Sequence, residues 1–519
     1  MYPLIIVINI CKINFLITFL FFAIICDMIL PSYSFIFIFL PVTVILYHLA
    51  NLRQFYTLGK VILLISSAVF YALLVPGIYG LAALVLSVLF CYTIASFGLA
   101  AGVPAPVRRI FLILGITVNI AFLIYCRYLS YIDELFTGAG WGSFTFRAVV
   151  VPVGISYFTF SQIAYLADTY KDPAIRYSLL DYSLFVSFFP KITVGPIALS
   201  SELIPQFNDI SRKNAGFTQL ATGFYRFTSG LAKKLLLADS LGKFADLGYS
   251  NISTLGTPDA VLVTLSYTLQ IYFDFSGYCD MASGICLMLG FDLCENFDGP
   301  YHSLSIREFW KRWHITLTRF FRNYLYIPMG GNRKGKIRTY LNNLIIFLIS
   351  GLWHGAATHF VLWGGIHGIG MIVSKLVSPV TEKIPKILRW LVTFSFVSLA
   401  WIFFRADDTV VAVDMLSRLF KGGMIPINNE IVAAGIPAEF QLLQWLILKA
   451  EPTFTYYSGC AVWIGLVVIG LYLAAFSKTV KMRCDAFAAS KTKVVTTVIL
   501  FTWSVLSLSK VTEFIYVNF

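Results

Sequence analysis

Runs of roughly twenty apolar residues recur along the chain, near 34–50, 61–78, 80–100, 110–126, 148–167, 179–199, 259–290, 339–376, 388–404, 457–476 and 495–509. Each is about the length a helix needs to cross a hydrocarbon core of about 30 Å. A chain buried repeatedly in lipid must satisfy its own backbone, which leaves helices or closed barrels, and the period-two alternation of a membrane barrel is absent. Charged residues make up 13% and mean hydropathy is +0.79, whereas a soluble domain carries roughly 25% charge. The expectation is an all-α fold, one polytopic transmembrane helical bundle of about eleven to thirteen spans.

The net charge of +13 does not point to nucleic acid. Arg53, Lys60, Arg108, Arg109, Lys171 and Arg176 sit in short loops between apolar runs, as the positive-inside bias places them. The nine cysteines form no CxxC pair, so they read as small buried hydrophobes and not as a zinc or redox motif. Residues 1–27 are either a signal-like segment, an extra span or an over-extended start before Met28. Residues 28–519 read as a single membrane domain.

Five of the six histidines fall in or beside 302–367. His354 lies in an apolar run within SGLWHGAATHF, and an ionisable residue in such a run is by default a functional candidate. A neutral imidazole, with an unperturbed pKa of about 6.5, can take a proton from a hydroxyl. Gly351 and Gly355 leave room for backbone or substrate, and Trp353 supplies a rigid wall. The competing reading is a histidine hydrogen-bonded across helices as structural glue. His314 lies in REFWKRWHITLTRFFRNYLYIP, where a continuous helix would put Arg307, Trp310, Lys311, His314 and Thr318 on one face. From Arg307 to Arg338 there are nine Arg/Lys and one acid, Glu308, which suits a cytoplasmic surface able to clasp phosphates or simply to anchor on anionic lipid.

Asp274 and Asp280 interrupt the run 259–290 and must be protonated, paired or wet. They are expected to organise structure, orienting an imidazole or pairing with the Arg/Lys cluster. Gly277 and Gly284 beside them permit close helix approach. The segment 216–237, with Lys233 and Lys234, suits an amphipathic helix lying in the interface. His48, His302, His359 and His367 are expected to pack. With no HExxH and no carboxylate near the histidines, no metal site is expected; with no GxSxG, neither is a serine triad. The run 339–376 is either one tilted helix with a short return or two helices broken near Gly364–Gly365.

The stretches YFDFSGYCDMASG (272–284), ENFDGPYHSLSIREFWKRWHITLTRFFRNYLYIPMGGNRKG (295–335) and LISGLWHGAATHFVLWGGIHG (348–368) resemble the membrane-bound O-acyltransferase family, above all its bacterial branch that includes the membrane subunit of alginate O-acetylation. VPVGISYFTFSQIAYLADTY, LFVSFFPKITVGPI and AWIFFRADD extend the resemblance over most of the chain. It implies a helical bundle with a central funnel, a catalytic core at about 150–376, His354 as principal catalytic residue and His314 as a second catalytic group near the donor entrance. Trp310, Lys311, Arg312, Trp313, Trp353, Asp274 and Asp280 are then donor-binding or supporting residues. Cys279, Asn323, Lys191 and the Thr358–His359 pair depart from the usual pattern without removing either histidine.

The implied reaction moves acetyl from acetyl-CoA, with no tightly bound cofactor, toward a cell-surface or exported polysaccharide. The implied setting is the bacterial inner membrane, with the lipid bilayer around the chain and a periplasmic or extracellular acyltransferase as partner. The branch that attaches D-alanine to teichoic acid from an acyl carrier protein is the enzyme alternative. It generally lacks the extra spans that this chain has in the about 140 residues after Pro379. A non-enzymatic transporter is the third reading, and the inverted halves that would support it are not visible.

Overall fold

The computed structural model describes residues 29–75, 78–138, 140, 151–381, 383–437, 440–441, 452–488, 490–510 and 514–515, so the ambiguous segment 1–27 lies outside the described residues. The first helices are α1 (Leu40–Leu52), α2 (Tyr56–Leu74), α3 (Ile78–Thr93), α4 (Ala105–Arg127), α5 (Leu129–Gly138), α6 (Ile155–Lys171), α7 (Leu179–Ser187) and α8 (Ser200–Asn208). The middle of the chain gives α9 (Phe217–Ala232), α10 (Asp239–Ser250), α11 (Thr257–Met288), α12 (Ile306–Arg312), α13 (Ile315–Phe321), α14 (Gly335–His354) and α15 (Thr358–Thr381). The rest is α16 (Lys386–Arg405), α17 (Thr409–Lys421), α18 (Asn429–Gly435), α19 (Pro452–Ala475), α20 (Val480–Asp485) and α21 (Lys491–Leu506). No strand occurs among the described residues, so the all-α polytopic expectation holds.

Among the described residues, seven helical stretches are long and apolar enough to cross a membrane: Phe35–Leu52, Tyr56–Leu74, Ile78–Gly98, Ala105–Arg127, Thr358–Thr381, Lys386–Arg405 and Phe454–Ala475. Other apolar runs form shorter or more buried elements. The run 179–199 supplies only the nine-residue α7 and a buried irregular stretch. The run 259–290 becomes α11, a 32-residue helix whose residues 263–286 are buried with the sole exception of Leu265. A helix buried on every face is an axial core element, screened from lipid by its neighbours.

The segment 216–237 is not an interfacial helix. It forms α9 and a π-helical turn, Lys233–Ala238, packed against α11 with Arg226 and Lys234 buried. Glycines set the spacing. A Cβ on Gly230 would lie 2.5 Å from the Gly277 carbonyl oxygen, and one on Gly223 would lie 2.7 Å from that of Gly284. The two pairs are one heptad apart on both helices, so the backbones touch twice, as expected for Gly277 and Gly284.

The π turn lets two adjacent lysines both face α11. Lys233 reaches Asp280 at 2.7 Å, and Lys234 reaches Asp274 at 2.7 Å and Asp239 at 2.8 Å. Arg226 joins Asp280 (3.1 Å) to Glu295 (2.7 Å). The buried aspartates of α11 therefore pair with α9 and its π turn, and not with the 307–338 cluster. Charges held this far from water persist only when matched.

The run 339–376 breaks at Gly355–Ala357, immediately after His354; Gly364 and Gly365 lie inside α15. α14 and α15 form an antiparallel hairpin whose ends meet where Lys375 stands over the Tyr340 ring (5.4 Å). They cross at glycine again: Cβ atoms on Gly351 and Gly364 would lie 2.2 Å from the carbonyl oxygens of Phe360 and Phe347. The space that Gly351 leaves is filled by backbone, and that beside Gly355 by the Phe360 ring.

Candidate active site

His354 is the last residue of α14, at the tip of the hairpin, and is 1% exposed. A helix end leaves carbonyls without intrahelical partners, and here three successive ones are taken up from another element. Tyr128 donates its hydroxyl to the Leu352 carbonyl oxygen (2.9 Å). Arg127 donates Nη1–H to that of Trp353 and Nη2–H to that of His354, both at 3.3 Å. Arg127 also donates to the Ser156 hydroxyl at 2.5 Å. A cation at a helix C-terminus is favoured by the helix dipole, so Arg127 fixes both the end of α14 and the imidazole it carries. Opposite, His359 donates Nδ1–H to the Phe403 carbonyl oxygen (2.9 Å), tying the start of α15 to α16.

Aromatic rings enclose the His354 imidazole: Trp353, Trp363 and Phe404, with centroids at 4.8, 5.1 and 5.1 Å. The ring of His314 lies 6.5 Å away, and Trp353 stands 6.0 Å from it, touching both imidazoles. Trp353 is itself held by Phe160, stacked at 5.5 Å, and by Tyr157 at 5.7 Å.

His314 does not sit on a helix face. α12 ends at Arg312 and α13 begins at Ile315; between them His314 adopts φ +44°, one of two positive values among described non-glycine residues. The shared face of Arg307, Trp310, Lys311, His314 and Thr318 is thus broken. Asn296 explains the break. Its backbone carbonyl accepts from Ile315 N–H (3.0 Å), and its side-chain Oδ1 accepts from Thr316 N–H (3.2 Å), the Thr316 hydroxyl (2.9 Å) and His314 Nδ1–H (3.1 Å). That last bond puts the ring proton on Nδ1 and leaves the lone pair on Nε2. Strain of this kind, over-determined by its surroundings, is common at functional sites.

The other candidates separate into distinct surroundings. Trp310 donates Nε1–H to His367 Nδ1 (3.2 Å) and packs on Trp363, one ring removed from His354. Trp313 is buried between Phe309 and Trp401. Lys311 is exposed, while Arg312 is engaged by Glu308 (3.0 Å) and Asp298 (3.8 Å). Asp274 and Asp280 lie in the ion pairs described above, on the helix whose Phe275 packs against His314 at 4.8 Å. Cys279, one turn on, accepts from Asn296 Nδ2 (3.6 Å). Two large cavities, of about 680 and 620 Å³, lie elsewhere in the bundle, and neither imidazole lines them. The expected funnel to His354 is not among these two cavities.

The described residues thus form an all-α bundle with helices long enough to span a membrane and two imidazoles close together in its buried core. The sequence model of the membrane-bound O-acyltransferase family matches residues 33–406, and the chain belongs to that family. It is similar to the peptidoglycan O-acetyltransferase of Helicobacter pylori, 38% identical over 458 residues, with 81% of this chain and 85% of the relative covered. It is also similar to the probable alginate O-acetylase AlgI of Pseudomonas aeruginosa, 37% identical with 81% of each chain covered. The teichoic acid D-alanyltransferase of Bacillus subtilis is more distant, 27% identical over 46% of this chain and 62% of the relative. The protein is a multi-pass membrane-bound O-acyltransferase.

Proposed function

We propose that the protein takes an acetyl group from acetyl-CoA and delivers it toward hydroxyl groups of a cell-surface or exported glycan, in the bacterial inner membrane and with an extracytoplasmic acyltransferase as partner. His354 is the base. It removes the proton of the acceptor hydroxyl as that oxygen attacks the thioester carbonyl; the C–O bond forms, the C–S bond breaks, and the proton passes to the departing thiolate. His314, with its lone pair on Nε2, is the supporting group, and Trp353 keeps the two rings in fixed relation.

The observation that carries this reading is the convergence of His314 and His354, forty residues apart and on separate elements, at 6.5 Å inside a buried aromatic enclosure. Similarity to two O-acetyltransferases over most of the chain supports acetyl over D-alanyl transfer. The test is ester analysis of surface glycans from strains carrying wild type, His354→Ala or His354→Gln at matched membrane abundance. Loss of glycan acetyl in both variants is the expected result; acetyl content equal to wild type in either refutes the role of His354. Purified protein given labelled acetyl-CoA or D-alanyl carrier protein then separates the two donors.

A further inference from the structure

The cavity of about 680 Å³ runs between α15 and α16 and is lined by apolar side chains, among them Ile366, Val373, Leu388 and Phe396. Its volume is within the range of about 300–1,000 Å³ that takes a small organic molecule. From Thr381 at one end to Ile366 at the other is fifteen residues of α15, roughly 22 Å at 1.5 Å per residue. That is the depth of one leaflet, about half of a 30 Å core, with room for a headgroup. Among the described residues, one charged side chain lines it. Arg389 sits at the Thr381 end, and its buried Nε has no hydrogen-bond partner. Lys383 and Lys386, exposed, fall between lining residues at the same end.

The side of the membrane follows from the hairpin. Lys375 over Tyr340 brings the end of α15 to the start of α14, where Lys334, Lys336 and Arg338 cluster. Basic residues on one face of a membrane protein mark the cytoplasmic side, where the leaflet surface is anionic.

We infer that this groove is a binding site for an anionic phospholipid of the cytoplasmic leaflet, its phosphate on Arg389 and its acyl chain along α15 and α16. An apolar slot with a guanidinium at the mouth matches a lipid that has a negative head and a hydrocarbon tail; Arg in particular suits phosphate through its planar donor fork. The site is separate from the proposed chemistry. Its floor, at Phe396, backs onto the His367 ring at 5.6 Å, and His367 in turn holds Trp310. A seated chain therefore braces the aromatic wall from the lipid side.

The experiment uses the full-length protein in nanodiscs of phosphatidylcholine with a titrated fraction of phosphatidylglycerol, followed by lipid extraction and native mass spectrometry. Wild type is expected to retain one phosphatidylglycerol selectively over phosphatidylcholine. Arg389→Gln should weaken retention roughly fivefold or more, the effect of one cation facing an anionic lipid. Val373→Trp, on the membrane-facing wall and 47% exposed, should do the same by filling the slot without touching the core. Glycerophosphate without chains should not compete. Equal retention by wild type and both variants, no headgroup preference, or displacement by glycerophosphate would each overturn the assignment.

Discussion

At the scale of single residues, the site is held by groups remote from it in sequence. Arg127 serves two carbonyls at the end of α14, and a hydrogen bond to a charged group contributes about 1.5–3 kcal/mol. Arg127→Leu is expected to cut acetyl transfer at least tenfold by releasing the end of α14 and the imidazole it carries, and Arg127→Lys, which lacks the fork, to recover only part; initial rates in membranes check both. His314→Asn separates backbone from ring. Asn tolerates positive φ, so the variant should insert and resist proteolysis like wild type yet lose activity, whereas retained activity would make His314 a turn residue only. His354 is legible in the sequence because ionisable groups are rare in apolar runs, whereas His314, in a basic segment, stands out only through the family resemblance of its surroundings. Arg127 is not legible: it follows the apolar run 110–126 and looks like any loop cation. Asn296 lies inside the family-like stretch 295–335, but nothing local gives its role, which arises from where a segment eighteen residues away returns.

At the scale of elements, α9 and α11 are joined by glycine contacts and by buried ion pairs. Gly277→Val pushes a branched side chain into the Gly230 backbone, and overpacking costs roughly 1–3 kcal/mol; the variant should show lower yield and earlier aggregation on size exclusion after mild heating. Lys234 and Asp274 are 1% and 2% exposed. Removing one buried partner costs about 3–5 kcal/mol, while removing both costs less. Lys234→Met alone should therefore destabilise more than Lys234→Met with Asp274→Asn, a difference that thermal aggregation midpoints will report. The glycines of α11 are readable from sequence as contact points. Their partners are not, because α9 looks amphipathic, and nothing local tells a charged face turned toward lipid headgroups from one turned toward buried aspartates.

At the scale of the whole molecule, the apolar runs give the class of fold but not which helices face lipid, since helices buried by protein look as apolar as helices buried by lipid. The path of the chain is testable. Lys386 and the 89% exposed Asp407 flank α16, a helix of twenty residues, about 30 Å long. Single cysteines at the two positions, with the native cysteines replaced, should react with an impermeant maleimide from opposite sides of the membrane. Labelling from the same side would mean that α16 does not cross.

The hairpin also has a bearing on biosynthesis. α14 opens with Lys336 and Arg338 and is not among the helices apolar enough to cross unaided, whereas α15 is. The two are joined by glycine contact along their crossing, so α14 is expected to leave the translocon only in company with α15. Until the ribosome has released the chain through Thr381, the imidazole at the tip has no settled address.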